Sequence, residues 1–306
     1  MKYCVDDSST IFDWAMESNP LTEQIPHFLY HYRSGESARK MVISDGIRLR
    51  LTRADHFKDK LEGLAVKVYY EIALEELRKD SVITDGQFEM FIEFGVPEED
   101  LFIRYDSDGW LLGQNNKSDV YVACFSTVKN DPYMFCNYGK GDERYCLEIG
   151  NTELEILSHK DFNRETKTEL LRVLYGRQVI DYLKSFIIRI VQDHFLMKDS
   201  QNAKAIMEMK LYDLQFSAKR AIYSKENEIR LLVRVPKNME LSHDQYVTGM
   251  EDGCPYLWIT LPKTALYEMY PSPSNSTAQI DLMREIAQSN QYDWIELLPH
   301  CYERPE

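Results

Sequence analysis

Phe28-Leu29-Tyr30-His31-Tyr32-Arg33-Ser34, just after Pro26, is the stretch on which the fold turns. Aromatic and apolar residues dominate it, and proline is tolerated at the mouth of a strand, so it predicts a first β-strand. On a strand the side chains alternate, which puts His31 on one face and Tyr30 and Tyr32 on the other. Ser34 and Glu36 then open a short helix to about Ser44, with Ser34 or Gly35 as its cap. Asp45-Gly46 is a turn, and Ile47 to Thr52 alternates like a half-buried strand. This opening predicts His31 and Thr52 on neighbouring strands.

Further strands are expected at Asp119–Ser126, Arg144–Ile149, Glu226–Val235, Tyr256–Leu261 and, as a closing strand, Trp294–Leu298. Val66–Lys79 has the apolar stripe of an amphipathic helix, Pro132 starts a short helix through Asn137, and Ser276–Ser289 reads as another. The longest helical run is Asn163–Met197, with Gly176 as a break, and Ala203–Leu214 extends it. The expected class is therefore α+β, a single domain over 26–306 with a helical insertion at about 162–214 and a polar arm at 1–25.

The chain has 306 residues and a formal net charge of -14, which disfavours broad binding to nucleic acid or an anionic membrane. Of six cysteines none forms a C-x-x-C pair, so the expectation is buried reduced thiols in a cytoplasmic protein. No basic-then-apolar leader opens the chain, and its most apolar stretch, Ser185–Val191, is too short to span a bilayer.

The chemistry-bearing residues fall in few places. Glu226-Asn227-Glu228-Ile229-Arg230 leads into an apolar run, and carboxylates entering a buried strand need partners or a ligand. One reading has Arg230 pair with Glu226 and leave Glu228 free to accept a ribose hydroxyl. Its plainer alternative is a solvated edge of alternating charge. A histidine that holds a ribose or amide, with a glutamate that polarises a ribose hydroxyl, is a pair suited to breaking an N-glycosidic bond, so His31 and Glu228 point towards NAD. The plain reading of His31 is a buried histidine with its hydrogen bonds satisfied. Asp59 and Glu62 lie in a loop after the second strand, and Tyr138 beside Gly139 offers a ring for stacking. Lys219, Arg220 and Lys225 are the one local basic cluster. No G-x-G-x-x-G, Walker loop, H-E-x-x-H, G-x-S-x-G or paired-cysteine zinc spacing is present.

Five stretches, in this order, resemble a bacterial domain-of-unknown-function family met near phage-defence genes, with abortive-infection AbiGi proteins as relatives. They are Leu29–Ser34, Arg48–Glu62, Cys124-Phe125-Ser126 with Met134-Phe135 and Tyr138-Gly139, Tyr223–Arg230, and Leu297-Leu298-Pro299 with Tyr302-Glu303-Arg304. Lys58, Lys60, Phe135 and Tyr223 depart from that family's pattern. More distantly, the layout resembles the ADP-ribosyltransferase superfamily, which implies a mixed-sheet core of that type and NAD as substrate. The resemblance implies Glu228, His31 and Glu226 as catalytic residues, and His31, Tyr32, Arg33, Thr52, Ser126, Tyr138 and Arg230 as the NAD-binding set. It implies no metal. The partners it implies are an acceptor protein or nucleic acid and a regulatory protein, with no membrane.

Two other readings compete. A nuclease would gather Asp59, Glu62, Glu226 and Glu228 around a divalent cation. A non-enzymatic sensor would dock a partner on the acidic surface or on the helical block.

Overall fold

The computed structural model describes residues 25–57, 65–95, 118–139, 141–159, 167–192, 200–236, 246–295 and 297. In chain order its elements are β1 (Phe28–Ser34), α1 (Gly35–Met41), β2 (Val42–Ile43), β3 (Gly46–Arg53), α2 (Ala65–Lys79), α3 (Asp85–Phe94), β4 (Ser118–Ser126), α4 (Pro132–Tyr138), β5 (Arg144–Gly150) and α5 (Asn151–His159). There follow β6 (Lys167–Arg172), β7 (Leu174–Tyr175), α6 (Arg177–Gln192), α7 (Ser200–Leu214), β8 (Ala218–Lys219), β9 (Glu228–Pro236), β10 (Tyr246–Glu251), β11 (Cys254–Leu261), β12 (Leu266–Pro271) and α8 (Thr277–Ser289). They group into a sheet unit, 25–58, 117–171 and 224–306, and a helical unit that takes in 59–116 and 172–223.

The sheet unit is a curled, mainly antiparallel sheet built around β4. β9 pairs with β4 over its whole length, from Ser118↔Pro236 to Ser126↔Glu228. The other edge of β4 is shared. β3 meets it at Thr52↔Val122 and Arg53↔Tyr121, and β1 meets it at Tyr30↔Ser126. From these footholds β3 continues into β11 and β10, and β1 into β5 and β12. The sheet therefore forks, with β1 and β3 on the two arms and β4 at the junction. His31 and Thr52 do not sit on adjacent strands, because β4 is interposed as their common partner.

One face of this sheet carries the main core. Leu29, Leu49, Leu51, Phe125, Leu147, Ile149, Ile229 and Leu231 pack there against Ala38 and Met41 of α1, Leu154 of α5, and Ile280 and Met283 of α8. Ser34 caps α1 as expected, its hydroxyl accepting from the Ser37 N–H, and Ser276 caps α8 in a capping box with Gln279. On the opposite face α4 lays Met134 and Phe135 on Tyr32 and Cys146.

Two expectations are corrected. Lys167–Arg172 is a strand, not part of a long helix: it pairs with β9, and Glu169 meets Arg234 at 3.0 Å. Gly176, at φ +50°, sits just before α6. Trp294 and Ile295 form no strand, and the edge place beside β5 belongs to β12. A register shift between Leu266 and Glu268 breaks the alternation that would have marked β12 in the sequence.

The helical unit is tied by packing and by one charge hub. α6 buries Val179, Ile180, Leu183, Phe186, Ile187 and Ile190 along one stripe. Glu76 of α2 accepts from Arg177 at 2.5 and 2.9 Å and from Lys184 at 3.0 Å. Hydrogen bonds from these two cations hold its pKa down at about 2, below the usual glutamate value of 4.5. A depressed carboxylate contributes stability above its unfolded pKa and loses it as pH falls through the folded one. Glu76→Gln is expected to lower the thermal midpoint at pH 7. That deficit should narrow as pH drops from 4.5 towards 2 in paired melts of variant and parent.

Candidate functional site

The site is assembled where the fork leaves a backbone group without a strand. Cys124 lies between the Val122 and Ser126 footholds of β4, at a level that neither β3 nor β1 reaches. Its carbonyl is met instead by the imidazole of His31, with Nδ1 2.8 Å from the Cys124 oxygen. A carbonyl only accepts, so Nδ1 carries the proton. Nε2 then accepts from Arg33 Nε at 2.6 Å, which fixes the neutral tautomer. Burial, and then the Arg33 charge, hold the His31 pKa well below 6.5, against the smaller pull of the Cys124 carbonyl. His31 also lies against Phe125, ring centroids 5.1 Å apart. Both ring nitrogens are committed to the protein. His31 is thus the satisfied histidine of the plainer reading.

Glu226, Asn227 and Glu228 come next along the same junction. Glu226 ends a short 3-10 turn, Asn227 takes φ +43°, and the strand starts only at Glu228. The two glutamates are therefore not alternate residues of one strand, yet both are buried, at 3% and 4% exposure. The bend is pinned by Ser126, whose hydroxyl donates to the Glu226 carbonyl at 2.8 Å and accepts from the Val128 N–H at 3.0 Å. Thr127 N–H donates to the Asn227 carbonyl at 3.0 Å.

Arg230 pairs with Glu228, which corrects the pairing with Glu226. Its Nε is 2.8 Å from one oxygen and its Nη2 3.2 Å from the other, a two-point contact with both residues almost fully buried. The Arg230 guanidinium also lies 5.2 Å from the Phe57 ring centre. Tyr138 closes the cluster from α4. Its side chain is 37% exposed, while its hydroxyl hydrogen-bonds Glu226 and lies near Glu228. Burial, then these two carboxylates, raise the Tyr138 pKa far above the usual phenol range.

Other expected residues lie elsewhere. Tyr32 is core: its hydroxyl donates to the Val128 carbonyl at 2.6 Å, accepts from the Asp131 N–H at 2.9 Å, and its ring packs on Phe135. Thr52 is half-buried at the β3 foothold. Lys219 is buried against Tyr223, so the local basic cluster is not one exposed surface. Asp59 and Glu62 lie outside the described residues. Among the described residues no group of three or more His, Cys, Asp or Glu is placed to hold a metal ion. No described helix is long and apolar enough to cross a membrane. Of the described thiols only Cys146 is buried, its pKa pushed up to about 12 by burial.

A second polar group was missed in the sequence. Ser126, paired with Glu228, is paired also with Tyr30, and Tyr30 with Glu148 of β5, so one row crosses four strands. Glu148 is 8% exposed, accepts from Tyr270 at 2.6 Å and meets Lys129 at 3.4 Å. A glutamate inside Tyr145-Cys146-Leu147-Glu148-Ile149 was the available signal.

His31→Leu is expected to cost about 1–3 kcal/mol, since it strands the Cys124 carbonyl and Arg33 Nε. A histidine with a lowered folded pKa is stabilising when neutral. The unfolded chain takes up a proton below about 6.5, so wild-type stability falls as pH drops through that value, by up to about 1.4 kcal/mol per pH unit. Urea titrations at pH 7 and pH 5 should show a shallower dependence in the variant.

Searches of protein-family models, curated proteins and solved structures return no match to this chain.

Proposed function

We propose that the sheet unit cleaves the bond between nicotinamide and ribose in NAD and passes ADP-ribose to a macromolecule or to water, on a core of the ADP-ribosyltransferase type, as a toxin or antiviral effector. The single observation that carries the reading is the convergence of two buried carboxylates, Glu226 and Glu228, beneath the half-exposed ring of Tyr138. The forked sheet supports it, because β3 and β1 part from β4 between Val122 and Ser126, and Ser126 is the register partner of Glu228.

In this reading the C–N bond to nicotinamide breaks, its electron pair leaves with the pyridine ring, and positive charge develops on the ribose. Glu228 supplies a fixed negative charge there, and its two bonds to Arg230 hold it in one orientation. A charge placed in advance inside a dry site needs no reorganisation as the transition state forms. Glu226 accepts a ribose hydroxyl, and the exposed ring of Tyr138 stacks on the departing nicotinamide. The acceptor nucleophile then bonds to the ribose carbon and gives up its proton. His31 takes no direct part and instead aims Arg33.

NAD labelled on the adenylate is incubated with the full chain and cell extract, and free nicotinamide and transferred label are scored. Glu226→Gln and Tyr138→Phe are run alongside. Glu226→Gln is expected to lower nicotinamide release by about 100-fold or more, and Tyr138→Phe by about 10-fold. Glu228→Gln leaves Arg230 undercompensated in a buried place, which costs several kcal/mol, so its folding is checked first by circular dichroism. Intact NAD in extracts of phage-infected and uninfected cells alike would sink the reading.

A further inference from the structure

Helix α2 carries two apolar stripes, and only one of them is covered. Val66, Tyr70, Ala73, Leu74 and Leu77 are buried in the helical unit. Val68 and Ile72, one turn apart, fall on the other side of the helix and are 54% and 37% exposed. Beside them α3 buries Phe88 and leaves Ile92 44% exposed. These four side chains line a groove of about 710 Å³ that lies wholly within the helical unit. Its walls are fixed in advance. The Tyr70 hydroxyl donates to the Phe91 carbonyl at 2.6 Å, and Thr84 caps α3 in a capping box with Gln87. Arg78 bonds Asp85 at 2.8 Å and lies 4.6 Å from the Phe88 ring centre. The rim is acidic. Glu71 and Glu75 line the groove with no cationic partner among the described residues, and Glu89 stands exposed one turn before Ile92. Of the described lining residues only Lys79 offsets them, since Arg78 is spent on Asp85.

We infer that this groove is the docking site for an amphipathic helix of a partner protein, apolar on the face laid against α2 and α3 and basic along its flanks. Val68 and Ile72 on one wall, and Phe88 and Ile92 on the other, are each one turn apart. Apolar side chains at every third or fourth residue of the occupant therefore fall between them. A helix satisfies its own backbone, and a groove walled by two helices has no free strand edge to offer an extended peptide. Lys or Arg on the flanks of the occupant would meet Glu71 and Glu75 on one rim and Glu89 on the other, which selects a basic partner and speeds its approach. Their aliphatic stems would at the same time cover the exposed parts of Val68 and Ile92. A second copy of this chain fits less well, because it would set the same carboxylates against each other in two chains of net charge -14. From Val68 to Lys79 the groove follows about 16 Å of α2, so about three turns of partner helix fill it. The docking site stands apart from the NAD reading, whose residues all belong to the sheet unit.

Fluorescence anisotropy of a labelled synthetic helix, titrated with the full chain at low ionic strength, tests it. The probe has about 16 residues, with leucine at i, i+4, i+7 and i+11 and with Lys and Arg on both flanks. Two control peptides keep everything but one feature: the first carries Glu on the flanks, and the second scrambles the leucine spacing. The basic amphipathic probe is expected to bind saturably, one to one, and both controls to bind at least about 10-fold more weakly. Ile72→Ser and Ile92→Ser should each weaken the probe by about 5-fold or more. Glu71→Gln and Glu75→Gln should each weaken it by about twofold to threefold and flatten its salt dependence. Glu285→Gln, an exposed carboxylate of α8 in the sheet unit, should leave it unchanged. The substituted side chains are exposed, and circular dichroism and melting confirm that each variant is folded. No saturable binding by the parent, equal binding of the scrambled peptide, or unchanged affinity in folded Ile72→Ser and Ile92→Ser would overturn the groove as the docking site. Equal binding of the acidic peptide would overturn the basic flanks. Sedimentation of the chain alone is expected to show no self-association that Ile72→Ser abolishes; if it does, the occupant is a second copy and the partner helix is overturned.

Discussion

A single backbone carbonyl, that of Cys124, organises the centre of this protein. It falls at the level of β4 where β3 has already turned away and β1 has not yet arrived. A buried carbonyl without a donor is costly, and a strand would normally supply one. Here the donor is an imidazole from the neighbouring arm. Because the ring plugs the gap, the two arms can splay without breaking the hydrogen-bond account of the sheet. Because the ring has a second nitrogen, it also accepts from the Arg33 guanidinium. One imidazole thus repairs the sheet and fixes the Arg33 guanidinium.

The opposite edge of β4 shows how a charge can be kept in a dry place. β9 runs against β4 for its full length, and Glu228 and Arg230 sit on it as near neighbours of the same face. Their two-point contact lets both be almost inaccessible to water, which neither would tolerate alone. Glu226 is placed differently, by a left-handed Asn227 and by the Ser126 hydroxyl clasping its carbonyl. Two carboxylates two residues apart therefore have unlike surroundings, one held by a guanidinium and one touched by a phenol.

Much of the framework was legible in the sequence because its strands are locally consistent. The apolar alternation of β3 and the β-branched and aromatic residues of β4 marked both within a residue or two. β6 was not legible, since Lys167-Thr168-Glu169-Leu170-Leu171-Arg172 has no strong strand pattern and owes its form to pairing with β9. β12 was hidden by its irregular register. At the site, His31, Glu226 and Glu228 drew attention by residue type and place. Their partners did not: which glutamate Arg230 would grip, and that His31 would reach the Cys124 carbonyl, depend on the bend at Asn227 and the splay of two strands. Such angles are set by tertiary structure and leave no periodicity to read.

The pairing of β3 with β11 has a consequence for how the chain is made. Thr52 waits for Tyr256, and Cys124 and Ser126 wait for Arg230 and Glu228. Contacts this distant along the chain must close large loops before they return any stability, so assembly of the sheet is slow and comes late. During synthesis the arms of the fork emerge well before the strands that hold them apart. A nascent or truncated chain ending before β9 carries His31, Arg33 and Glu226 but lacks the buried Glu228–Arg230 pair.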